Sequence, residues 1–463
     1  MEKHENRSIT EPAKTLPIRT EVDVAVIGAG PAGIMAALAA AEEGLKVALI
    51  EGRSFVGGNL TIGLPVLGFL SQKGKLIIKG LSEKLMERLR ARGAASAHQP
   101  CPLHVSLTLI DPEVVKSVAV EMLTECKVEL LLHTMFSEVV MEGDRIKALI
   151  VKGKSDREAI LAKMVIDTTG DAEVAKRSGV PCKKGNEQGG MQPPTLMFSM
   201  EGADTGRLRE CLVNDPETYD CDFIPPDYFA KNPRFILVGL RKLIARARAD
   251  GLVIPNDRTI LISGLREGEF WVNMTRVKGV DGTDARSLTA GEIETRGQID
   301  DLCTYLVSYV PGFEQARLAR VAPFLGIRET RRMVGQYTLT GDDIRSCRRF
   351  DDAIAVASYP IDLHSPDDDD CVLEWCGDCY DIPYRSLVPR NVSNLLVAGR
   401  CISATHEALA STRVMSTCMA LGEAAGRAAQ LCVREKVSPA DVDTHRLRKE
   451  LLACGAYLRD LSE

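Results

Sequence analysis

Residues 22–51 constrain the fold of this chain more than any other part of its sequence. A short apolar, β-branched run leads into Gly28-Ala29-Gly30-Pro31-Ala32-Gly33, an alanine-rich stretch follows, and a second apolar run ends at Glu51. Such runs are typical of buried parallel strands, and the G-x-G-x-x-G pattern marks a tight turn from a strand into a helix. The segment therefore predicts a β–α–β unit that binds a dinucleotide.

The three glycines and the terminal acid each have a physical role in such a unit. Gly28 allows the tight turn, Gly30 lets a pyrophosphate approach the backbone, and Gly33 lets the helix pack closely on the strand. Glu51 follows Gly33 by 18 residues, where a carboxylate accepts hydrogen bonds from ribose hydroxyls. The alternative is an ordinary glycine turn without a ligand, which the complete strand–helix–strand–acid spacing disfavours.

Further motifs resemble the glutathione-reductase-like FAD-binding superfamily. Its second glycine loop is matched by residues 52–59, its ATGD segment by residues 165–171, its late Gly-Arg turn by residues 395–400, and its final flavin-contacting helix by the segment that starts at Arg413. More narrowly, residues 23–432 resemble the FAD-dependent oxidoreductase family, which includes the flavin part of heterodisulfide reductase A-like proteins. The resemblance implies FAD as the cofactor and leaves the substrate open.

The same resemblance implies which residues contact FAD. Two of them, Val414 and Met415, would offer backbone N–H groups to the flavin pyrimidine carbonyl at a helix N-terminus. The full set is Gly28, Gly30, Pro31, Ala32, Gly33, Glu51, Gly52, Arg53, Gly57, Gly58, Asn59, Leu60, Phe136, Thr169, Gly170, Asp171, Gly399, Arg400, Arg413, Val414 and Met415.

The strand and helix patterns predict an α/β fold with two domains. The first is a three-layer, Rossmann-like FAD-binding domain with an inserted β-meander, and the second is a mixed α+β cap domain for the substrate. Residues 409–435 are predicted to form one long helix. The predicted segments are a disordered leader at 1–20, a discontinuous FAD-binding domain at 21–188 and 323–436, the cap at 189–322, and a polar helical tail at 437–463.

Composition excludes several functional classes. The chain has 463 residues and a net charge of −6, which offers no general attraction to nucleic acid. No apolar run reaches the roughly 18 residues that span a membrane, and the first residues lack the apolar core of a signal peptide. Fourteen cysteines in so long a chain suggest reduced thiols and a cytoplasmic protein.

Two features that the sequence lacks restrict which molecule can exchange electrons with the FAD. The sequence contains no second G-x-G-x-x-G turn after a strand, and residues 51–70 contain no cysteine. Both absences argue against an NAD(P)H-dependent disulfide reductase of this superfamily. The second redox partner is therefore expected to be a small-molecule substrate together with an unidentified electron acceptor or donor, and we leave open whether the chain forms a homo-oligomer.

A cysteine cluster offers a competing chemistry. Cys371, Cys376 and Cys379 have C-x4-C-x2-C spacing, formally that of three [2Fe–2S] ligands, and Cys347 or Cys401 would supply the fourth. The second pair also fits a redox dithiol. The acidic flank at residues 367–370 would raise the pKa of these thiols, so we predict no metal or cluster.

The candidate substrate pocket lies between the cap and the flavin, with residues 61–70 as a loop beside it. A flavin dehydrogenase needs a group that takes a proton as hydride leaves, and histidine or tyrosine is the usual choice. The candidate proton carriers are His406, His364 and Tyr384, and the candidate substrate-binding residues are Gln192, Arg328 and Arg385. The alternative for the histidines is a structural hydrogen bond, and for Gln192 it is an ordinary loop position. For Arg328 we leave open whether it binds substrate or pairs with a nearby acid.

Two functions follow from this reading. The first is an FAD-dependent oxidoreductase that transfers a hydride between a small molecule and flavin N5. The second is an electron-transfer subunit resembling the heterodisulfide reductase A flavin module. The absence of a multi-cysteine ferredoxin segment favours the first function, because an electron-transfer module needs cluster ligands.

Overall fold

The computed structural model describes residues 8–367 and 371–460. The elements of its first part are, in chain order, β1 (Ile18–Ile27), α1 (Pro31–Ala41), β2 (Val47–Ile50), a 3-10 turn (Gly58–Thr61), β3 (Val66–Leu67), α2 (Leu81–Ala91), β4 (Gln99–Cys101), β5 (Val105–Thr108), α3 (Pro112–Glu125), β6 (Glu129–Leu131), β7 (Met135–Glu142), β8 (Arg145–Lys152), β9 (Arg157–Asp167), α4 (Glu173–Arg177) and β10 (Cys182–Lys184).

The remaining elements follow in two groups. The middle group is β11 (Phe198–Glu201), α5 (Thr205–Asn214), α6 (Pro226–Lys231), β12 (Ile236–Gly239), α7 (Arg241–Ala249), β13 (Thr259–Ser263), β14 (Phe270–Val272), α8 (Ala285–Tyr309) and β15 (Arg317–Val321). The last group is β16 (Arg331–Met333), α9 (Gly341–Arg345), β17 (Ala353–Ala357), β18 (Ile361–His364), β19 (Cys371–Glu374), β20 (Tyr380–Pro383), a 3-10 turn (Tyr384–Ser386), β21 (Leu395–Val397), α10 (His406–Thr412), α11 (Met415–Glu435), a 3-10 turn (Pro439–Asp441) and α12 (Thr444–Ala453).

The largest sheet has the strand order β6-β2-β1-β9-β8-β7, and β21 also pairs with β9. Strands β6, β2, β1, β9 and β21 are parallel, while β7, β8 and β9 form an antiparallel meander. Val24 and Val26 pack with α1 and α11 on one face, whereas Ala25 and Ile27 pack with β8 and α4 on the other. This topology confirms the predicted three-layer α/β fold with its β-meander.

The first strand corrects the expected leader. Strand β1 begins at Ile18 and pairs with β9 from Ile18↔Ala159 onward, and the carbonyl of Pro17 accepts the N–H of Ala159. Residues 18–20 therefore belong to the sheet, although Ile18 is itself exposed. Residues 1–7 of the expected leader and 461–463 of the expected tail lie outside the described residues.

A second, antiparallel sheet stands apart from the first. Its strand order is β12-β13-β14-β11-β15, and all five strands come from within residues 189–322, which we continue to propose as the cap. Its core includes Phe198, Phe270 and Leu261 on the strands and Tyr305 on α8. One face of this sheet is thus packed against helices, and its other face is available to line a cavity.

The C-terminal helices differ from the prediction in two ways. Residues 409–435 are not one helix, because Val414 has an extended backbone (φ −66°, ψ 147°) between α10 and α11. The tail is not wholly polar, because α12 buries Leu447 and Leu451 and the Arg448 guanidinium donates to the carbonyl of Ala353. Both changes follow from tertiary contacts that the local pattern does not carry.

Helix α11 packs directly on α1. A Cβ on Gly422 would lie 2.0 Å from the carbonyl oxygen of Ala32, and one on Gly426 would lie 2.4 Å from that of Ala36. Only glycine permits so close a backbone approach. The crossing therefore holds the first turn of α1 in place. No helix in residues 8–367 or 371–460 is both long enough and apolar enough to cross a membrane.

Candidate active site

The glycine turn after β1 has the geometry that its sequence predicts. Gly28 has φ +98° and its N–H donates to the carbonyl of Ile50, while a Cβ there would lie 2.7 Å from the Thr168 carbonyl oxygen. A Cβ on Gly33 would lie 1.8 Å from the Gly28 carbonyl oxygen. A Cβ on Gly30 would meet nothing within 4 Å. The turn is thus closed on the sheet side and open at Gly30.

The open side of the turn belongs to a groove, which we call the nucleotide groove. Gly30 is the N-cap residue of α1, and no side chain caps this helix. The first N–H groups of a helix lack intrahelical partners, and the helix dipole favours an anion beside them. The groove therefore fits a phosphate or pyrophosphate at Gly30.

Glu51 lies in the nucleotide groove at the end of β2. Its Oε2 accepts the N–H of Ala29 and its Oε1 accepts the N–H of Arg53, each at 2.9 Å. These bonds orient the carboxylate, and each oxygen retains a second lone pair for a ribose hydroxyl. The Arg53 guanidinium lies 3.7 Å from the centroid of the Phe324 ring, which positions a cation at the same end of the groove.

The other end of the groove is built from residues far apart in the chain. Asp171 Oδ1 accepts from Arg400 Nη2 at 2.5 Å and from Thr330 Oγ1 at 2.8 Å. Beside them the chain passes from α10 through Arg413 into α11, whose N-terminus has no side-chain cap. This second uncapped helix N-terminus fits an electron-rich group of a bound cofactor.

Most of the residues that the resemblance implied for FAD line this groove. They are Gly28, Gly30, Pro31, Ala32, Glu51, Arg53, Gly58, Asn59, Thr169, Gly170, Asp171, Gly399, Arg400, Arg413 and Met415. The other six residues of that set do not line the groove. Gly33 packs under the turn, Leu60 is buried in the core, Gly52 packs against Met135, and Phe136 is part of the core beneath the sheet. Gly57 donates its N–H to the carbonyl of Ala29, and Val414 lines a second cavity.

This second cavity, which we call the inner cavity, lies between the groove and the antiparallel sheet. Residues of the predicted pocket loop, Ile62, Leu64, Pro65 and Leu67, form one side of it. Cap residues on β12 and β13 form the opposite side. Five residues line both the inner cavity and the nucleotide groove: Asn59, Ile327, Arg400, Arg413 and Met415. A ligand in one space is therefore next to a ligand in the other.

Asp362 and His364 form the titratable centre of the inner cavity. His364 Nε2 lies 3.4 Å from Asp362 Oδ1, and Arg413 Nη2 lies 3.1 Å from Asp362 Oδ2. Burial, followed by the positive charge of Arg328, lowers the pKa of His364 to about 4. Although burial opposes it, His364 and Arg413 hold the pKa of Asp362 well below its usual range. His364 is thus neutral and Asp362 is ionised at neutral pH.

Cys371 completes this group. Among the described residues, one set of three or more potential ligand residues has its ligand atoms within 4.8 Å of one another, namely Asp362, His364 and Cys371. The Cys371 thiol donates to Asp362 Oδ1 at 3.2 Å, and burial, then Asp362, raises its pKa to about 12. A protonated thiol and an Asp362 already paired with Arg413 account for the group without a metal, and we keep the prediction of no metal site.

The remaining cysteines of the predicted cluster lie elsewhere. Cys376 is buried near Gln72, whose side-chain amide donates to the Cys376 carbonyl, and burial raises the pKa of its thiol to about 12. Cys347 Sγ accepts the N–H of Gly377, and Cys401 is buried in the core. The structure thus separates Cys371 from Cys376, Cys347 and Cys401. Asp368, Asp369 and Asp370 of the acidic flank lie outside the described residues.

Four of the predicted catalytic or substrate residues do not line either cavity. The Tyr384 hydroxyl donates to the carbonyl of Pro439, and Arg385 pairs with Asp352 at 2.9 Å. His406 Nδ1 lies 2.9 Å from the buried carboxylate of Glu329. Gln192 Oε1 accepts the backbone N–H of His364 at 3.4 Å, so Gln192 contacts a residue of the cavity wall without lining the cavity itself. His364 and Arg328 are the predicted residues that the structure does bring to the inner cavity.

Three further residues of the inner cavity were missed. His104 and Tyr359 have stacked rings with centroids 6.1 Å apart, and burial lowers the pKa of His104. The Tyr359 hydroxyl donates to Asp362 Oδ2 at 3.1 Å. His104 lies far in the sequence from Tyr359 and Asp362, so the local sequence does not show that these residues meet.

Parts of this sequence are similar to known proteins. Among curated relatives, the thiamine thiazole synthase of Pyrobaculum aerophilum is 30% identical over 177 residues, which cover 36% of this chain and 63% of that protein. That of Aeropyrum pernix is 27% identical over 166 residues, covering 34% and 57%. The chain thus spans about three fifths of the length of these relatives.

One solved structure is similar to this chain along most of its length. The geranylgeranyl bacteriochlorophyll reductase-like protein of Thermoplasma acidophilum is 12% identical, with 94% of this chain and 83% of that one covered and a TM-score of 0.49. The model of the family described as FAD dependent oxidoreductase matches residues 23–451, which include the glycine turn, Glu51 and both uncapped helix N-termini. The chain therefore belongs to the FAD-dependent oxidoreductase family, and its cofactor is FAD.

Proposed function

We propose that this enzyme exchanges a hydride between FAD and a small-molecule substrate held in the inner cavity. The observation that carries the proposal is the shared wall of the two cavities, to which Arg400, Arg413 and Met415 contribute. When bound, FAD supplies a two-electron acceptor or donor for that hydride. The inner cavity is walled by the cap on its far side, as a pocket for a separate substrate requires.

We propose His364 as the group that accepts or returns the substrate proton. Its Nε2 faces the Asp362 carboxylate, which favours the tautomer with the proton on Nε2. Its Nδ1 is then unprotonated, and it has no hydrogen-bond partner among the described residues. A neutral imidazole in that state accepts a proton at Nδ1, and the ionised Asp362 stabilises the resulting cation.

The other candidates have weaker support as proton carriers. His406 is hydrogen-bonded to Glu329, which also pairs with Arg332, and this buried network does not line either cavity. The Tyr384 hydroxyl is already donated to a backbone carbonyl in the core. We therefore propose structural roles for His406 and Tyr384.

Anaerobic reduction of the bound FAD by a library of metabolites tests the proposed function. We expect at least one metabolite to bleach the flavin absorbance rapidly, and His364→Gln to slow that step by about 10²–10⁴-fold with the FAD content preserved. The matched control is His133→Gln, which changes a histidine on the surface of the FAD-binding domain, outside both cavities. Saturable, stoichiometric bleaching by NADH or NADPH alone would contradict the proposal.

A further inference from the structure

The inner cavity contains a cation, Arg328, that no carboxylate of the described residues contacts directly. Arg328 Nη1 donates to the carbonyl of Pro193 and to Thr195 Oγ1, and both acceptors are uncharged. Within residues 8–367 and 371–460, no carboxylate oxygen lies within 4 Å of the Arg328 guanidinium, and its Nε and Nη2 have no acceptor. Burial, then the charge of Arg413, lowers the pKa of Arg328 to about 10, so it stays protonated at neutral pH.

Three other arginines that line the same cavity, Arg258, Arg400 and Arg413, are paired. Each of these lies close to a carboxylate, as is usual for arginines that are removed from water. The pairs are Arg258 with Asp257 at 2.9 Å, Arg400 with Asp171 at 2.5 Å, and Arg413 with Asp362 at 3.1 Å. Arg328 also does not line the nucleotide groove, so the FAD phosphates are not its counterion. Asp362 lines the same cavity and partly offsets the charge of Arg328 without contacting it, and an anionic ligand would supply the direct partner that Arg328 lacks.

The wall of the inner cavity that β12 and β13 form is apolar. Ile236 pairs with Ile262 and Val238 with Ile260 across β12 and β13, so four β-branched side chains share one face of the cap sheet. All four line the inner cavity. Residues between them, such as Leu261, point to the other face and are fully buried in the cap core. An apolar sheet face that borders a cavity fits the apolar body of a ligand.

We propose that the substrate is an organic monocarboxylic acid with an apolar body. Its carboxylate binds the Arg328 guanidinium through Nε and Nη2, the bidentate arrangement that arginine favours. Its body lies along the apolar wall of Ile236, Val238, Ile260 and Ile262. This inference rests on the proposed function, since it names the class of molecule that would occupy the same cavity.

Isothermal titration of the oxidised FAD holoenzyme with octanoate tests the charge. Octanamide is the uncharged probe of the same shape. We expect octanoate to bind at least about tenfold more tightly than octanamide, and Arg328→Met to remove that difference while octanamide binding stays unchanged. The matched control is Arg317→Met, because Arg317 belongs to the same cap sheet and its side chain is 80% exposed. Val238→Thr, which keeps the shape of the wall and replaces one methyl group by a hydroxyl, should weaken octanoate binding several-fold.

Several results would overturn the inference. Octanamide binding as tightly as octanoate, or unchanged octanoate binding by Arg328→Met, would remove the carboxylate–arginine contact. Loss of FAD from Arg328→Met would make Arg328 a cofactor residue, and absence of binding by every straight-chain acid of two to ten carbons would exclude the class. The titration needs no turnover, so octanoate binding through Arg328 in an enzyme whose FAD no metabolite reduces would refute the proposed function alone.

Discussion

Replacing Gly422 by alanine tests whether the crossing of α1 and α11 shapes the nucleotide groove. The new Cβ would lie 2.0 Å from the Ala32 carbonyl oxygen, against at least 3.4 Å for an ordinary contact, so the two backbones must separate by 1.4 Å. Ala32 lies in the first turn of α1 and lines the groove, and its backbone cannot rotate away. Overpacking of this kind costs about 1–3 kcal/mol. If FAD binds only when α1 and α11 are packed as in the wild type, this cost should lower the affinity for FAD by about ten- to a hundredfold.

The assay is the dissociation constant of FAD, measured by quenching of FAD fluorescence when the deflavinated protein is reconstituted. Gly297→Ala is the matched control, because Gly297 is an exposed residue of α8 and a Cβ there would meet nothing within 4 Å. Alanine should stabilise that helix by up to about 1 kcal/mol and leave FAD binding unchanged. Wild-type FAD affinity together with a wild-type melting temperature in Gly422→Ala would refute the reasoning.

Four other outcomes are expected. Gly30→Val should abolish FAD binding, because its side chain would fill the open side of the glycine turn; full FAD occupancy after purification would show that the phosphates lie elsewhere. Glu51→Gln should weaken FAD binding by about 1.5–3 kcal/mol, as fluorescence titration can measure, since an amide cannot accept both the Ala29 and Arg53 N–H groups. The rate of substrate-dependent flavin reduction should be independent of pH from about 9 to 5 and should fall as the pH approaches the His364 pKa of about 4, because the neutral ring is the base. A midpoint of this fall near the ordinary histidine pKa of 6.5 would contradict the assignment. Burial raises the pKa of Glu423 from 4.5 to about 7, so the folded state holds this proton more tightly than the unfolded state. The wild type should therefore lose about 3 kcal/mol of stability as the pH rises from 4.5 to about 7. Glu423→Gln should remove this loss, which denaturant unfolding at the two pH values measures.

The nucleotide end of the site was predictable because its determinants are local. A turn that needs φ +98° at Gly28, a helix that starts at Pro31 and a strand that ends at Ile50, just before Glu51, are each specified by residues a few positions apart. Strand alternation and helix capping depend on neighbours along the chain, so they survive as a pattern in the sequence. The α/β class, the meander and the geometry of the glycine turn followed from such patterns.

The substrate end depended on contacts between distant segments. A histidine at position 406 and one at position 364 are equally suited to carry a proton, and only the fold turns His406 toward Glu329 and brings His364 to the cavity. The break between α10 and α11 is of the same kind, because no proline or glycine marks it and the Arg413 guanidinium is held by Asp362 on β18.

The sequence by itself thus determined the cofactor and the architecture that holds it. The tertiary structure decided which groups line the inner cavity. They include Arg328, which no carboxylate of the described residues contacts, and the apolar side chains of β12 and β13. The physical reason is that a side chain's protonation and pairing depend on burial and on partners from other segments. Local spacing along the chain does not encode either of them.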